Sequence, residues 1–382
     1  IVPRSPLAGE DELFPQTATA GRTPLPDLES PTMPLAAHID TLRDAHKTEL
    51  GGARTEDLLE DARVLVGREL ARVEDLLAGA VRDGASPGPE AGDHLLAAGG
   101  KRVRPMLALL AAEALGGINE TTREVAMVSE LIHLATLLHD DVVDDAPERR
   151  GRATAGRVYG NAVSVLAGDL LLTTALGRTQ ALGQPDLLAS LITTLRALVD
   201  GELIQLRGRR GLVLSRESYE AIVEGKTASL FVWAARAGAS SIAVDARDAA
   251  KHASYTDALG TFGRHLGLAF QIVDDLIDYV GSETGKSLYA DLREGKATLP
   301  VIVAAERDPG LLAELQACAR GEREGAEATL AARIVATGAC DDVRARAEAE
   351  TRAALAALDR LPPGRAVTLL AAVATRLSAR LA

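Results

Sequence analysis

This sequence predicts an all-α fold, a single large helical bundle, and three observations predict it. Of its 382 residues 47% are hydrophobic but only 3% aromatic, so the core must be built from Leu, Ala and Val, a composition that packs as helices more readily than as sheets. Turn signals are sparse between the apolar runs. Apolar residues also recur at the three-to-four spacing that gives a helix one greasy face. No second core and no fixed-period repeat is visible, so residues 41–382 read as one domain, large but feasible for a bundle.

Residues 1–40 hold seven of the 16 prolines, mixed with Ser, Thr, Gly and acids and without helical period. They read as a disordered leader and are set aside from the fold. From Glu56 to about Val81 the pattern Leu58, Leu59, Ala62, Val66, Leu70, Val73, Leu76, Leu77 predicts a long amphipathic helix. A loop with Pro87 and Pro89 ends it. Next comes LLAAGGKRVRPMLALLAAEALGG: a glycine pair precedes Lys101, Arg102 and Arg104, Pro105 starts a helix, and Gly116-Gly117 stops it. The amides of that turn and the cations could cradle an anion, and a plain basic turn would look the same. A central helix is predicted from about Thr122 to Asp145, then helices over 162–182, 186–208, 215–237 and 256–280. After these, GSETGKSLYADLREGKATLP forms a polar loop of the makeup that closes over anions. Helices rich in Ala, Arg and Glu complete the chain.

The chemistry concentrates in two stretches. HLATLLHDDVVDDAPERRG carries Asp140, Asp141 and Asp144, and FQIVDDLID carries Asp274, Asp275 and Asp278. The first and third acids of each set are four apart and share a helix face, and each set closes an apolar run. Crowded acids on a buried helix need cations, and carboxylates alone favour Mg²⁺, which takes one or two of them and fills its other positions with water and phosphate. A single set could be a solvated charge run. Two sets about 130 residues apart are better explained as two walls of one metal site. Arg149 and Arg150 follow the first set, and their guanidinium forks suit phosphate oxygens. His133 and Thr136 fall on the same stripe as Asp140 and Asp144. Gly225-Lys226-Thr227 lacks the spacing and preceding strand of a nucleotide P-loop.

Composition excludes several classes. A net charge of −12 argues against nucleic acid as partner, since a phosphate-backbone binder needs a basic face. Cys318 and Cys340 show no metal spacing and read as reduced residues of a cytoplasmic protein. No apolar run is long enough to span a membrane, although lipid contact through substrate or product is left open. Only six of the 42 basic residues are lysines. Four of them, Lys101, Lys226, Lys286 and Lys296, sit in these polar motifs, where a compact ammonium charge is called for.

Taken together, GGKRVRP, HLATLLHDDVVDDAPERRG, GELIQ, GKT, FQIVDDLID and DLREGKATLP, in this order over about residues 90–300, resemble the trans-prenyl diphosphate synthases. The resemblance implies a homodimer of the all-helical isoprenoid synthase type, each chain folded around a central cavity. It implies an enzyme that joins isopentenyl diphosphate to an allylic diphosphate. On it, Asp140, Asp141, Asp144, Asp274 and Asp278 would hold about three Mg²⁺, with Asp275 beside them. Lys101, Arg104, His133 and Arg150 would seat isopentenyl diphosphate. Arg149, Lys226, Gln271 and Lys286 would bind the allylic diphosphate, Thr227 and Gln205 would border the reacting carbons, and Lys296 would join the closing loop.

Product length would be set one turn before Asp140, at Ala135 and Thr136, where the small side chains are expected to form the first ring of an open shaft. That pattern resembles a long-chain enzyme of roughly seven to ten isoprene units, about C35–C50. The rival readings are a short-chain farnesyl or geranylgeranyl diphosphate synthase, a terpene cyclase, and a non-catalytic subunit of a heteromeric synthase. Cyclases normally replace the second aspartate set and lack the isopentenyl cradle, and inactive subunits tend to lose acids. This chain keeps all six.

Overall fold

The computed structural model describes residues 50–209, 212, 214–280, 289–320, 322 and 326–378. The expected leader over 1–40 and the loop that contains Lys286 lie outside these. What is described is helical apart from one two-stranded hairpin.

In chain order the helices are α1 (Leu50–Val81), α2 (Gly88–Leu96), α3 (Val103–Glu113), α4 (Glu120–Val143), α5 (Ala155–Tyr159), α6 (Asn161–Ala181) and α7 (Pro185–Arg209). Then follow α8 (Arg216–Val223), a π-helical turn (Glu224–Ala228), α9 (Ser229–Ser240), α10 (Ala249–Val280) and α11 (Ala290–Arg293). The chain closes with α12 (Leu299–Arg307), α13 (Pro309–Ala319), α14 (Glu327–Ala336), α15 (Ala339–Leu358) and α16 (Arg365–Ser378).

The central helix α4 starts where a side chain can satisfy its orphan amides: Asn119 accepts from the Thr122 amide at 2.9 Å, and Thr122 Oγ1 accepts from the Asn119 amide at 3.2 Å. This reciprocal cap fixes the register of everything that follows on the helix. Leu131, Ile132, Leu134 and Leu138 are fully or almost fully buried in the main core, which α4 shares with α1, α3, α6, α9 and the first half of α10. A second apolar cluster joins the C-terminal half of α10 to α12, α14 and α15. Thus α4 and α10, which carry the two acid sets, are each anchored along their length by burial, and their acidic ends are held still.

Two expectations need correction. The segment after Pro87 is helical, because Pro89 falls in the first turn of α2, where its missing N–H is not needed. The helix expected over 215–237 is interrupted by the π turn over Glu224–Ala228. A hairpin follows α4: β1 (Glu148–Arg149) pairs with β2 (Arg152–Ala153), and Arg150 and Gly151 form its two-residue turn with φ of 54° and 73°. Positive φ at both central residues is what the twist of a tight hairpin requires.

Candidate active site

A cavity of about 1600 Å³ opens beside α4, α7, the π turn and α10. It exceeds the roughly 300–1,000 Å³ of an ordinary small-molecule pocket. Asp140 and Asp144 line one wall from α4, and Asp274, Asp275 and Asp278 line another from α10. The two acid sets therefore face one space.

Two lysines of the chain itself stand against the first acid set. Lys226 lies 3.6 Å from Asp140 and pairs with Glu202 of α7. Lys296 lies 3.5 Å from Asp144 and 3.8 Å from Asp291, and it pairs with Glu294. Burial raises the Asp140 carboxyl above its ordinary value against the pull of Lys226. Burial would lower the Lys296 ammonium, but Asp291, Asp144 and Glu294 outweigh it and hold the group above the usual lysine range.

The backbone brings Lys226 to this point by a local irregularity. Inserting one residue per turn in the π segment re-aims its side chains, a device frequent at functional sites. Gly225 and Gly201 let the π turn lie directly on α7: a Cβ on Gly225 would stand 2.6 Å from the Ala197 carbonyl, and one on Gly201 would stand 2.8 Å from the Lys226 amide. Thr227 and Gln205 also line the cavity.

A basic cradle forms the other side. Arg104, His133, Arg149 and Arg150 line the cavity, and Arg104 lies 4.7 Å over the Phe231 ring. Burial lowers the Arg104 guanidinium to about 10 despite Glu130. Burial and then Arg104, Arg150, Arg149 and Arg102 hold His133 well below the usual imidazole range, so it is neutral and can donate one hydrogen bond and accept another. Arg102, at φ 49°, turns away to Glu74 and to buried Glu130, each at 2.9 Å. Several cations around a neutral histidine make a place for a polyanion.

Some expected residues stand elsewhere. Asp141 is buried away from the cavity lining and accepts from Arg149 Nε at 2.7 Å. It neutralises that arginine, since consecutive helix positions diverge by about 100°, while its Oδ2 has no partner in the protein. Burial raises its carboxyl, opposed by Arg149. Ala135 is fully buried in the main core, whereas Thr136 lines the cavity, so only one of the two small residues belongs to the wall. Lys101 is exposed and outside the lining. Asp275 lines the cavity, but both its oxygens are taken: Tyr219 donates to Oδ2 at 2.7 Å and Gln271 Nε2 to Oδ1 at 2.8 Å. Burial and nearby Asp291 lift its carboxyl to about 7 against those two hydrogen bonds. Sequence reasoning missed Glu202 and Tyr219. The GELIQ stretch signalled the first, and nothing local signalled the second.

The donor set fits a divalent metal of the magnesium type. Magnesium takes one or two protein carboxylates and relies on phosphate oxygens and water for most of its shell. Asp140, Asp144, Asp274 and Asp278 supply hard oxygen ligands from opposite walls, while the two lining histidines stand apart in role, His133 in the basic cradle and His139 against the Val165 carbonyl.

Fold and site define a class: an α-helical protein in which carboxylates face a basic cradle across a large, partly apolar cavity. The chain belongs to the polyprenyl synthetase family, whose model matches residues 89–336. It is 35% identical over 309 residues to octaprenyl diphosphate synthase of Escherichia coli K12, covering 80% of this chain and 93% of that one. It is 36% identical over 332 residues to nonaprenyl diphosphate synthase of Mycobacterium tuberculosis, covering 85% and 96%. The crystal structure of a polyprenyl synthase from Caulobacter crescentus complexed with calcium and isoprenyl diphosphate superposes with a TM-score of 0.78 at 36% identity, covering 85% and 98%.

Proposed function

We propose that this protein condenses isopentenyl diphosphate 1′–4 with an allylic diphosphate and repeats the step to give a long all-trans polyprenyl diphosphate, about C35–C50, whose chain the outsized cavity can house. The observation that carries this reading is the meeting of two aspartate pairs, Asp140/Asp144 and Asp274/Asp278, and a basic cradle on one cavity of about 1600 Å³. The octaprenyl and nonaprenyl relatives support the long product.

Asp140, Asp144, Asp274 and Asp278 would hold Mg²⁺, about three ions by family resemblance. Bound metal supplies Lewis-acid stabilisation of the pyrophosphate charge. Lys226 and Arg149 are set to bind the allylic diphosphate, and Arg104, His133 and Arg150 the isopentenyl diphosphate. When the allylic C1–O bond breaks, the electron pair leaves with pyrophosphate, which Lys226 and the arginines steady. The isopentenyl double bond then forms the new C–C bond at that carbon. A proton leaves the adjacent carbon to the departing pyrophosphate, the strongest acceptor in a site whose own carboxylates are paired. The apolar walls keep water from the cation.

The same reading makes the enzyme a homodimer. Val158, Val165, Leu166, Ile192 and Leu203 are exposed on α5, α6 and α7, large apolar side chains of the kind a second copy covers. Free Cys318 and Cys340 agree with a reducing cytoplasm, and among the described residues no helix is long and apolar enough to cross a membrane. The test is direct: incubate the protein with Mg²⁺, labelled isopentenyl diphosphate and farnesyl or geranylgeranyl diphosphate, and size the products. A C20 end product with excess isopentenyl diphosphate refutes the long-chain assignment.

A further inference from the structure

One hydrogen-bonded chain runs along the cavity wall from Tyr219 to Thr227. Thr227 Oγ1 donates to Gln271 Oε1 at 2.8 Å, Gln271 Nε2 donates to Asp275 Oδ1 at 2.8 Å, and Tyr219 OH donates to Asp275 Oδ2 at 2.7 Å. Tyr219, Asp275 and Thr227 are all buried, at 7%, 4% and 6% exposure. The chain has a fixed polarity. Asp275 accepts at both oxygens, so the amide nitrogen of Gln271 faces it and the amide oxygen turns to Thr227. That oxygen can only accept, so the threonine hydrogen is committed to it. What Thr227 has left for the cavity is oxygen lone pairs.

Without the Tyr219 hydroxyl, Asp275 Oδ2 would be a buried, unsatisfied acceptor. It would compete for the second N–H of Gln271 or swing toward the cavity, and either movement would release Thr227. We infer that Tyr219 is a positioning residue: through Asp275 and Gln271 it keeps the hydrogen of Thr227 turned away from the reacting allylic carbon, and Asp275 is the hub of this chain and not a metal ligand. The inference rests on the prenyl-transfer reading of the cavity.

The test is Tyr219→Phe, which removes one oxygen and no ring volume. kcat is expected to fall about tenfold or more while KM for isopentenyl diphosphate stays within about twofold. Calorimetric affinity for inorganic pyrophosphate in the presence of Mg²⁺ should also stay within about twofold of the parent. In the double variant Y219F/T227V the loss should be no greater than the larger single loss, because both cut one chain. An unchanged kcat, fully additive losses, or a pyrophosphate affinity that falls in step with kcat each overturn the proposal, the last by making Asp275 part of the metal site. Should Y219F not yield folded protein, Gln271→Met cuts the chain nearer the cavity, and the same retention of pyrophosphate affinity beside a reduced kcat is required of it. Failure of the parent protein to make product would sink the reading of the site itself, a result separate from any of these.

Discussion

At the scale of single residues, neighbouring positions on one helix have been given different jobs by angle alone. Thr136, Asp140 and Asp144 line the cavity, while Ala135 packs in the core and Asp141 pairs with Arg149. Thr136→Phe should therefore put a ring into the space a growing chain needs, and product chromatography should show a shift to shorter prenyl chains. Ala135→Phe acts differently, by overpacking, at a cost of about 1–3 kcal/mol. His133 gives a pH prediction with a definite sign. Its folded-state pKa is depressed by burial and by the arginines around it, so below the unfolded value near 6.5 the unfolded chain takes up a proton that the folded one refuses. Stability is then lost as pH falls through about 6.5, at most about 1.4 kcal/mol per pH unit from this group. Melting curves at pH 7 and 5.5 should show a smaller acid-induced drop for His133→Gln than for the parent.

At the scale of elements, the two acid-bearing helices were legible before any coordinates, because period, burial and charge agree along them. Asn119 and Thr122 cap α4, and the capped helix delivers Asp140 and Asp144 one turn apart at its C-terminal end. What lay beyond the sequence is where tertiary contact overrides local pattern. The pattern through Gly225-Lys226-Thr227 reads as one helix, yet contact with α7 at Gly201 inserts a π turn there. Pairings such as Arg149 with Asp141, or Tyr219 with Asp275 across 56 residues, depend on packing that no local spacing encodes. The glycines carry a prediction of their own. Gly225→Ala would drive a methyl into the Ala197 carbonyl, so α7 and the π turn must separate. The expected result is a loss of about 1–3 kcal/mol in denaturant unfolding and a larger proportional loss of prenyl transfer, since Lys226 moves with the turn.

For the molecule as a whole, the exposed apolar side chains of α5–α7 bear on assembly. On the dimer reading, Leu166→Glu would bury a charge against a second copy. Light scattering on the parent should give twice the chain mass and on the variant a shift toward a single copy, and a parent that runs as one chain would contradict the dimer. The paired lysines have a different bearing. Because Lys226 stands against Asp140 and Glu202, and Lys296 against Asp144 and Asp291, the acids of the first set have counter-ions within the scaffold itself. Chelation should accordingly abolish turnover yet leave the thermal midpoint in EDTA within about 2–4 °C of that in magnesium, so that a cell starved of divalent cations would hold its stock of this catalyst idle but intact, ready to restart without new synthesis.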